Sequence, residues 1–135
     1  MQAEERVREG NAAFYRALTQ LDLDAMERLW LHTDWVRCIH PGWELLIGWR
    51  AVRASWEGIF QHTESHRVEV GDVAIHLSGA LGWVSCVERI DARGRVSFTA
   101  ATNLFQETMD GWRMILHHAS IIPVTEMATQ PGLVH

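Results

Sequence analysis

His40 closes a strand-like run, Trp35-Val36-Arg37-Cys38-Ile39-His40, directly ahead of a Pro41-Gly42 turn, with Trp43 and Trp49 close behind. An imidazole at such a strand end could act as a general base near neutral pH, because its unperturbed pKa is about 6.5. The plainer alternative is a half-buried ring whose nitrogens satisfy the turn. A second polar set comes from the strands further on. Strand parity points Ser85, Asn103 and His118 to one face, with Trp83, Val87, Phe105 and Trp112 around them. His118 is then placed to bond Asn103 across adjacent strands. These groups would either position a ligand carbonyl or carboxylate or serve as a buried polar network that pins the register. The same parity sends His117 and Cys86 to the opposite face, and Arg89 to the Ser85 face near a strand end.

Other chemistries lack their residues. "HTESH" at 62–66 spaces two histidines by four, but at a helix end running into a strand, and no HExxH is present. Adjacent His117 and His118 should face opposite sides of a strand, which is poor geometry for joint metal ligation. No metal site and no cofactor is therefore expected. No GxSxG elbow, P-loop or GxGxxG occurs. Seven tryptophans in 135 residues suggest a thick core or an aromatic cavity, since each brings a large apolar body and one N–H that needs a partner. Those at 30, 49, 56 and 112 read as core, whereas Trp43, beside the turn, is the one placed to touch a ligand.

The elements that must position these groups follow from periodicity. Val7, Phe14, Leu18 and Leu21 have helical spacing. A second, shorter helix carries Met26, Leu29 and Trp30, with Asp24 as its N-cap and Glu27 three residues on. Val52, Trp56, Ile59 and Phe60, at i, i+4, i+7 and i+8, predict a third. From His66 the period becomes two, and four long strands are separated by turn signals at Ser78-Gly79, Asp91 to Gly94 and Asp110-Gly111. Short links imply an antiparallel meander. The stretch 123–135 has no period and reads as a flexible tail after a single domain over 1–122.

Helices followed by antiparallel strands give an α+β class with the helices on one face of the sheet. A sheet covered on one face should be polar on the other. Parity instead leaves Val84, Cys86, Ile90, Phe98, Leu104 and Ile115 on the second face, which predicts a homodimer formed sheet to sheet. A formal net charge of −5 argues against nucleic acid as a partner, because phosphate binding needs a basic footprint. No apolar run approaches the length of a membrane span, no basic amphipathic helix suggests membrane binding, and the charged N-terminus lacks the apolar core of a secretion signal. Cys38 and Cys86 form no CxxC pair and read as two buried free thiols in a reducing, cytoplasmic setting.

Three stretches, "FYRALTQLDLDAMERLW", "HPGWELLIGWRAVRASWEGIF" and "ATNLFQETMDGWRMILHHAS", resemble SnoaL-like domains of the nuclear transport factor 2-like superfamily, over nearly the whole chain to Ser120. The last stretch is also similar to the association domain of calcium/calmodulin-dependent protein kinase. The resemblance implies a cone: a strongly bent antiparallel sheet wrapped around three helices, a pocket at the open end and a convex face that dimerises. It implies a small organic ligand in an apolar, aromatic pocket, and cofactor-independent isomerisation, dehydration or cyclisation with His40 as base. Trp43, Ser85, Val87, Asn103, Phe105 and His118 would be the ligand contacts. The alternative it carries is a non-catalytic assembly module. His40 stands where ketosteroid isomerase, a relative of this fold, has its catalytic aspartate. The tyrosine that donates to the oxyanion there aligns with Phe14, Tyr15 is expected to point elsewhere, and no second acidic donor matches, so steroid isomerisation is disfavoured. Ser85 and Asn103 fall where the kinase association domain has pocket arginines, and the loss of that charge speaks against anion binding.

Overall fold

Val7, Asn11, Phe14, Tyr15 and Leu18 share one stripe of the first helix, α1 (Ala3–Gln20), and all five are buried. The structure, a computed structural model, describes residues 2–123; the tail expected from 123 lies, beyond Pro123 itself, outside the described residues. After α1 come α2 (Leu23–Leu29), β1 (Arg37–Ile39), β2 (Leu46–Ile47), α3 (Trp49–His62), β3 (Arg67–Ser78), β4 (Leu81–Ala92), β5 (Arg95–Thr108) and β6 (Gly111–Ile122). The cap of α2 is Asp22, whose carboxylate accepts from the Ala25 N–H at 3.0 Å. Asp24, the expected cap, stands in the first turn of that helix, where its charge still favours the N-terminal dipole.

One mixed sheet runs in the order β2-β1-β6-β5-β4-β3. β3 to β6 form the expected antiparallel meander, while β1 pairs with β6 in parallel. That parallel pair sets Ile39 opposite His118 and delivers His40, just past the strand, to the inner side of the sheet. Two backbone bonds fix α3 over it: Gly48 N–H donates to the Val36 carbonyl at 2.8 Å, and Trp49 N–H to the Thr33 carbonyl at 2.9 Å. Gly48 has φ +93°, a left-handed conformation that side chains disfavour. Packing of α1 depends on another glycine. A Cβ on Gly82 would lie 2.8 Å from Val7 Cγ2, so the bare backbone of β4 is what lets the helix settle.

The registers correct two expectations about which residues face inward. β4 and β5 are joined by a two-residue turn, Arg93-Gly94, with φ of +54° and +74°. Positive φ at both positions is the hairpin geometry that matches strand twist, and it pairs Ala92 with Arg95. Val84 therefore faces Asn103, and Ser85 faces Thr102. Val84, Cys86 and Glu88 belong to the buried concave side with Thr99, Ala101, Asn103 and Phe105; Ser85 and Val87 lie on the convex side. The expected grouping of Ser85 with Asn103 is one residue out of register, and such a slip turns every side chain over. The second correction comes from a β-bulge. Phe105 pairs with Met114 but Leu104 pairs with Leu116, leaving Ile115 as the extra residue. Past the bulge parity inverts, so His117 is buried and His118 exposed, the reverse of the expectation. Of the predicted convex row, Phe98 and Leu104 stay outside the core, whereas Val84 and Cys86 are within it and partly buried Ile90 and Ile115 pack against it.

Candidate functional site

β1, α3 and the concave side of the sheet enclose a cavity of about 260 Å³. His40, Trp43, Trp56, Glu88 and His117 line it, with Leu18, Ile59, Val68 and Ile90 as apolar wall. His40 is only 3% exposed. Its Nε2 lies 2.8 Å from the Ser55 hydroxyl, and that hydroxyl donates to the Val52 carbonyl at 2.6 Å. With the Ser55 proton committed to a carbonyl, Nε2 must carry the imidazole proton, and Nδ1 keeps its lone pair. The Cys38 sulfur lies 3.6 Å from Nε2 and 3.9 Å from Nδ1. Trp43 and Trp56 meet the ring edge to face, at centroid distances of 4.8 and 4.5 Å. Burial, and then the neighbouring His117, push the His40 pKa down from 6.5 to about 3. The imidazole is neutral at pH 7.

Behind the cavity lies a polar network that sequence parity had scattered. His117 Nδ1 is 2.6 Å from the Asn103 side-chain oxygen, which can only accept, so His117 carries its proton on Nδ1. The Asn103 amide donates to Asn11 Oδ1 at 2.9 Å and to the Tyr15 hydroxyl at 3.0 Å. Tyr15 in turn donates to Glu88 Oε2 at 2.6 Å, and Thr99 donates to Glu88 Oε1. Burial raises the Glu88 pKa, while the hydroxyls of Thr99 and Tyr15 pull it back. Burial first, then the Glu88 charge, push the Tyr15 phenol well above its ordinary value. His117 is lowered from 6.5 to about 3 by burial and then by His118.

Of the residues proposed from sequence, His40 and Trp43 line the cavity. Asn103 and Phe105 face the same interior, but one step behind it: Asn103 supports His117, and Phe105 packs in the core. Ser85, Val87 and His118 do not join them. They lie along a convex groove of about 480 Å³, of whose polar side chains Asp72, Ser85, His118 and Ser120 are exposed and Thr102 is half-buried. That groove is larger than the concave cavity, but no buried, hydrogen-bonded polar side chain is aimed into it. Tyr15, expected to point away, points in. Sequence reading missed Ser55, Glu88 and His117 as site groups. Glu88 had a visible signal, as a lone carboxylate alternating with Val84, Cys86 and Ile90. No cluster of three potential metal ligands occurs among the described residues, both cysteines are free and buried, and no helix of the described chain is long and apolar enough to cross a membrane.

A family model described as SnoaL-like domain matches residues 7–125. A solved structure from Streptomyces avermitilis, described as a candidate dehydratase of the NTF2-like family, is 34% identical, with a TM-score of 0.83 over 88% of this chain and 95% of that one. A structure from Thiobacillus denitrificans, described as a candidate calcium/calmodulin-dependent protein kinase type II association domain, is 33% identical, with a TM-score of 0.78 over 84% of this chain and 93% of that one. F-box protein SKIP8 of Arabidopsis thaliana is 29% identical over 116 residues, 86% of this chain. The chain spans about half (49%) of the length of that curated relative.

Proposed function

The chain belongs to the SnoaL-like domain family, and on that footing we propose that it binds a small organic ligand in the concave cavity and moves a proton on it without a cofactor. The observation that carries this reading is His40: a buried, neutral imidazole, oriented by Ser55, in the wall of a cavity large enough for a small molecule. His40 Nδ1 takes a proton from carbon beside a ligand carbonyl, leaving an enolate. Returning that proton to a different carbon completes an isomerisation; delivering it to a departing β-hydroxyl completes a dehydration, with water as the second product. A base with so low a pKa is weak, so the reading also selects the substrate: its C–H must be activated, as between two carbonyls. The relation to a candidate dehydratase supports the dehydration branch.

Deuterium wash-in from D₂O at the activated carbon of a neutral β-keto ester such as ethyl acetoacetate, followed by mass, tests the reading. The wild-type protein should accelerate exchange. A folded His40→Gln variant, which keeps a hydrogen-bonding side chain but cannot cycle a proton in this range, should not. Equal exchange by both proteins would make His40 a structural residue.

The convex face supports a second proposal, a homodimer. Trp83 is 51% exposed there with Leu104 as its cross-strand partner, and partly exposed Phe98 lies further along the same face of β5, opposite Arg89. Such an apolar row needs cover. The relation to a candidate kinase association domain makes assembly through this face the alternative role for the whole chain.

A further inference from the structure

His117 is 3% exposed, and its Nδ1 is taken up by the Asn103 side chain behind the cavity. Its Nε2 has no hydrogen-bond partner among the described residues. Four buried polar atoms there are both unpartnered and closed to water: the indole nitrogens of Trp30, Trp56 and Trp112, and the Thr33 hydroxyl. His117 Nε2 is not one of them, so the sliver of surface that this residue keeps reaches the nitrogen. The space it meets is the cavity around His40, whose wall includes His117.

A chain of hydrogen bonds that starts at Glu88 decides what Nε2 presents there. The Glu88 carboxylate can only accept, so Tyr15 spends its hydroxyl proton on it, at 2.6 Å. The Tyr15 oxygen is left to accept, and the Asn103 amide nitrogen supplies that bond at 3.0 Å. With its nitrogen turned to Tyr15 and Asn11, Asn103 offers His117 its oxygen, 2.6 Å from Nδ1. The His117 proton therefore sits on Nδ1, and Nε2 meets the cavity as a bare acceptor. The neighbouring histidines of the wall have no proton to give it: His40 spends its N–H on Ser55, and His66 spends its own on the Leu18 carbonyl. A ligand that pairs with Nε2 must bring the donor itself.

We infer that His117 Nε2 accepts a hydrogen bond from a ligand hydroxyl, and that the cavity takes β-hydroxy carbonyl compounds, with Glu88, Tyr15 and Asn103 positioning the acceptor. The inference rests on the concave-cavity reading and narrows its substrate class. The His40 and His117 rings lie 6.3 Å apart between centroids. Contacts of about 3 Å at each nitrogen leave room between them for a carbon and the hydroxyl oxygen on its neighbour. His40 Nδ1 takes the proton from that carbon, the C–H electron pair becomes the C=C bond, and the C–O bond breaks. The departing oxygen keeps its own hydrogen, receives the second from His40, and leaves as water.

The test uses full-length protein with ¹⁵N-labelled histidine and three esters: ethyl 3-hydroxybutanoate, ethyl 3-methoxybutanoate and ethyl 3-methylbutanoate. The first can donate a hydrogen bond, the second only accepts, and the third replaces the hydroxyl by a methyl group. None has a C–H between two carbonyls, so binding is read without turnover. The His117 nitrogens are assigned by their disappearance in His117→Phe. In the unaltered protein Nδ1 should carry the proton and Nε2 should not, and Asn103→Leu should let the proton appear on Nε2. The hydroxy ester should move Nε2 upfield and bind about three- to tenfold tighter than the other two, the worth of one hydrogen bond. His117→Phe should abolish that preference. The tautomer and the shift are read on the unaltered protein, so a poorly folded variant does not remove the test. If Nε2 carries the proton, or the three esters bind alike and shift His40 but not His117, the His117 assignment falls while the cavity reading stands. If no ester perturbs either histidine, both fall together.

Discussion

Taking the pH from 7 to 5 should destabilise this protein by about 4 kcal/mol through two side chains. His40 and His117 are buried neutral, with pKa values lowered from 6.5 to about 3. A group whose folded pKa is depressed contributes stability that is fully present above its unfolded value and lost as pH falls toward the folded one. The window here runs from about 6.5 down to about 3. At pH 5 the unfolded state binds a proton at each site that the folded state refuses, over about 1.5 units. At about 1.4 kcal/mol per unit that is about 2 kcal/mol per histidine. Glu88, whose pKa is raised, works in the opposite sense as pH falls. It is common to wild type and histidine variants, so it cancels in their difference. Against a total stability of about 5–15 kcal/mol the loss is large. Urea unfolding followed by tryptophan fluorescence reads it as a fall in midpoint of about 1 M or more per histidine. Both His40→Gln and His117→Gln should lose about 2 kcal/mol less than wild type between the two pH values. Identical losses in all three proteins would refute the burial argument.

Three further outcomes follow from particular contacts. Gly82→Ala should cost about 1–3 kcal/mol in chemical denaturation, because its Cβ would meet Val7 Cγ2 at 2.8 Å; an unchanged midpoint would mean that α1 packs more loosely than described. Both thiols are buried, and burial lifts the Cys86 pKa to about 11 and that of Cys38 further, so neither should react with a thiol reagent at pH 8 until the protein unfolds. Replacing Phe98 and Leu104 together with lysine should convert the proposed dimer to monomer in sedimentation velocity, and an unaltered dimer would place the interface elsewhere.

Much of this architecture is legible in the sequence, and the failures have definite causes. The helical stripes of α1 and α3, the four long strands and the α+β class all follow from period. Asn11 and Tyr15 are equally legible: with Val7 they stand at i, i+4 and i+8, on the same stripe as the core. β2 has two residues, too few to show a period. The faces of the sheet depended on two details of single residues. A two-residue loop at Arg93-Gly94 set the β4–β5 register, and one extra residue at Ile115 inverted β6. Parity carried along a strand cannot detect a bulge, because "MILHH" contains no glycine or proline to mark it. The cost fell on the site: His117 was sent outward and His118 inward, and Ser85 was grouped with Asn103. His40 escaped these errors because it stands at a strand end fixed by Pro41-Gly42, and needs no register count.

The central claim is that the working surface of this chain is the concave cavity around His40 and not the convex groove. A crystal structure with a neutral β-keto ester bound tests it most directly. The account predicts ligand density between His40, Trp56 and His117. Density confined to the convex groove beside Ser85 and His118, with the concave cavity unchanged, would contradict it.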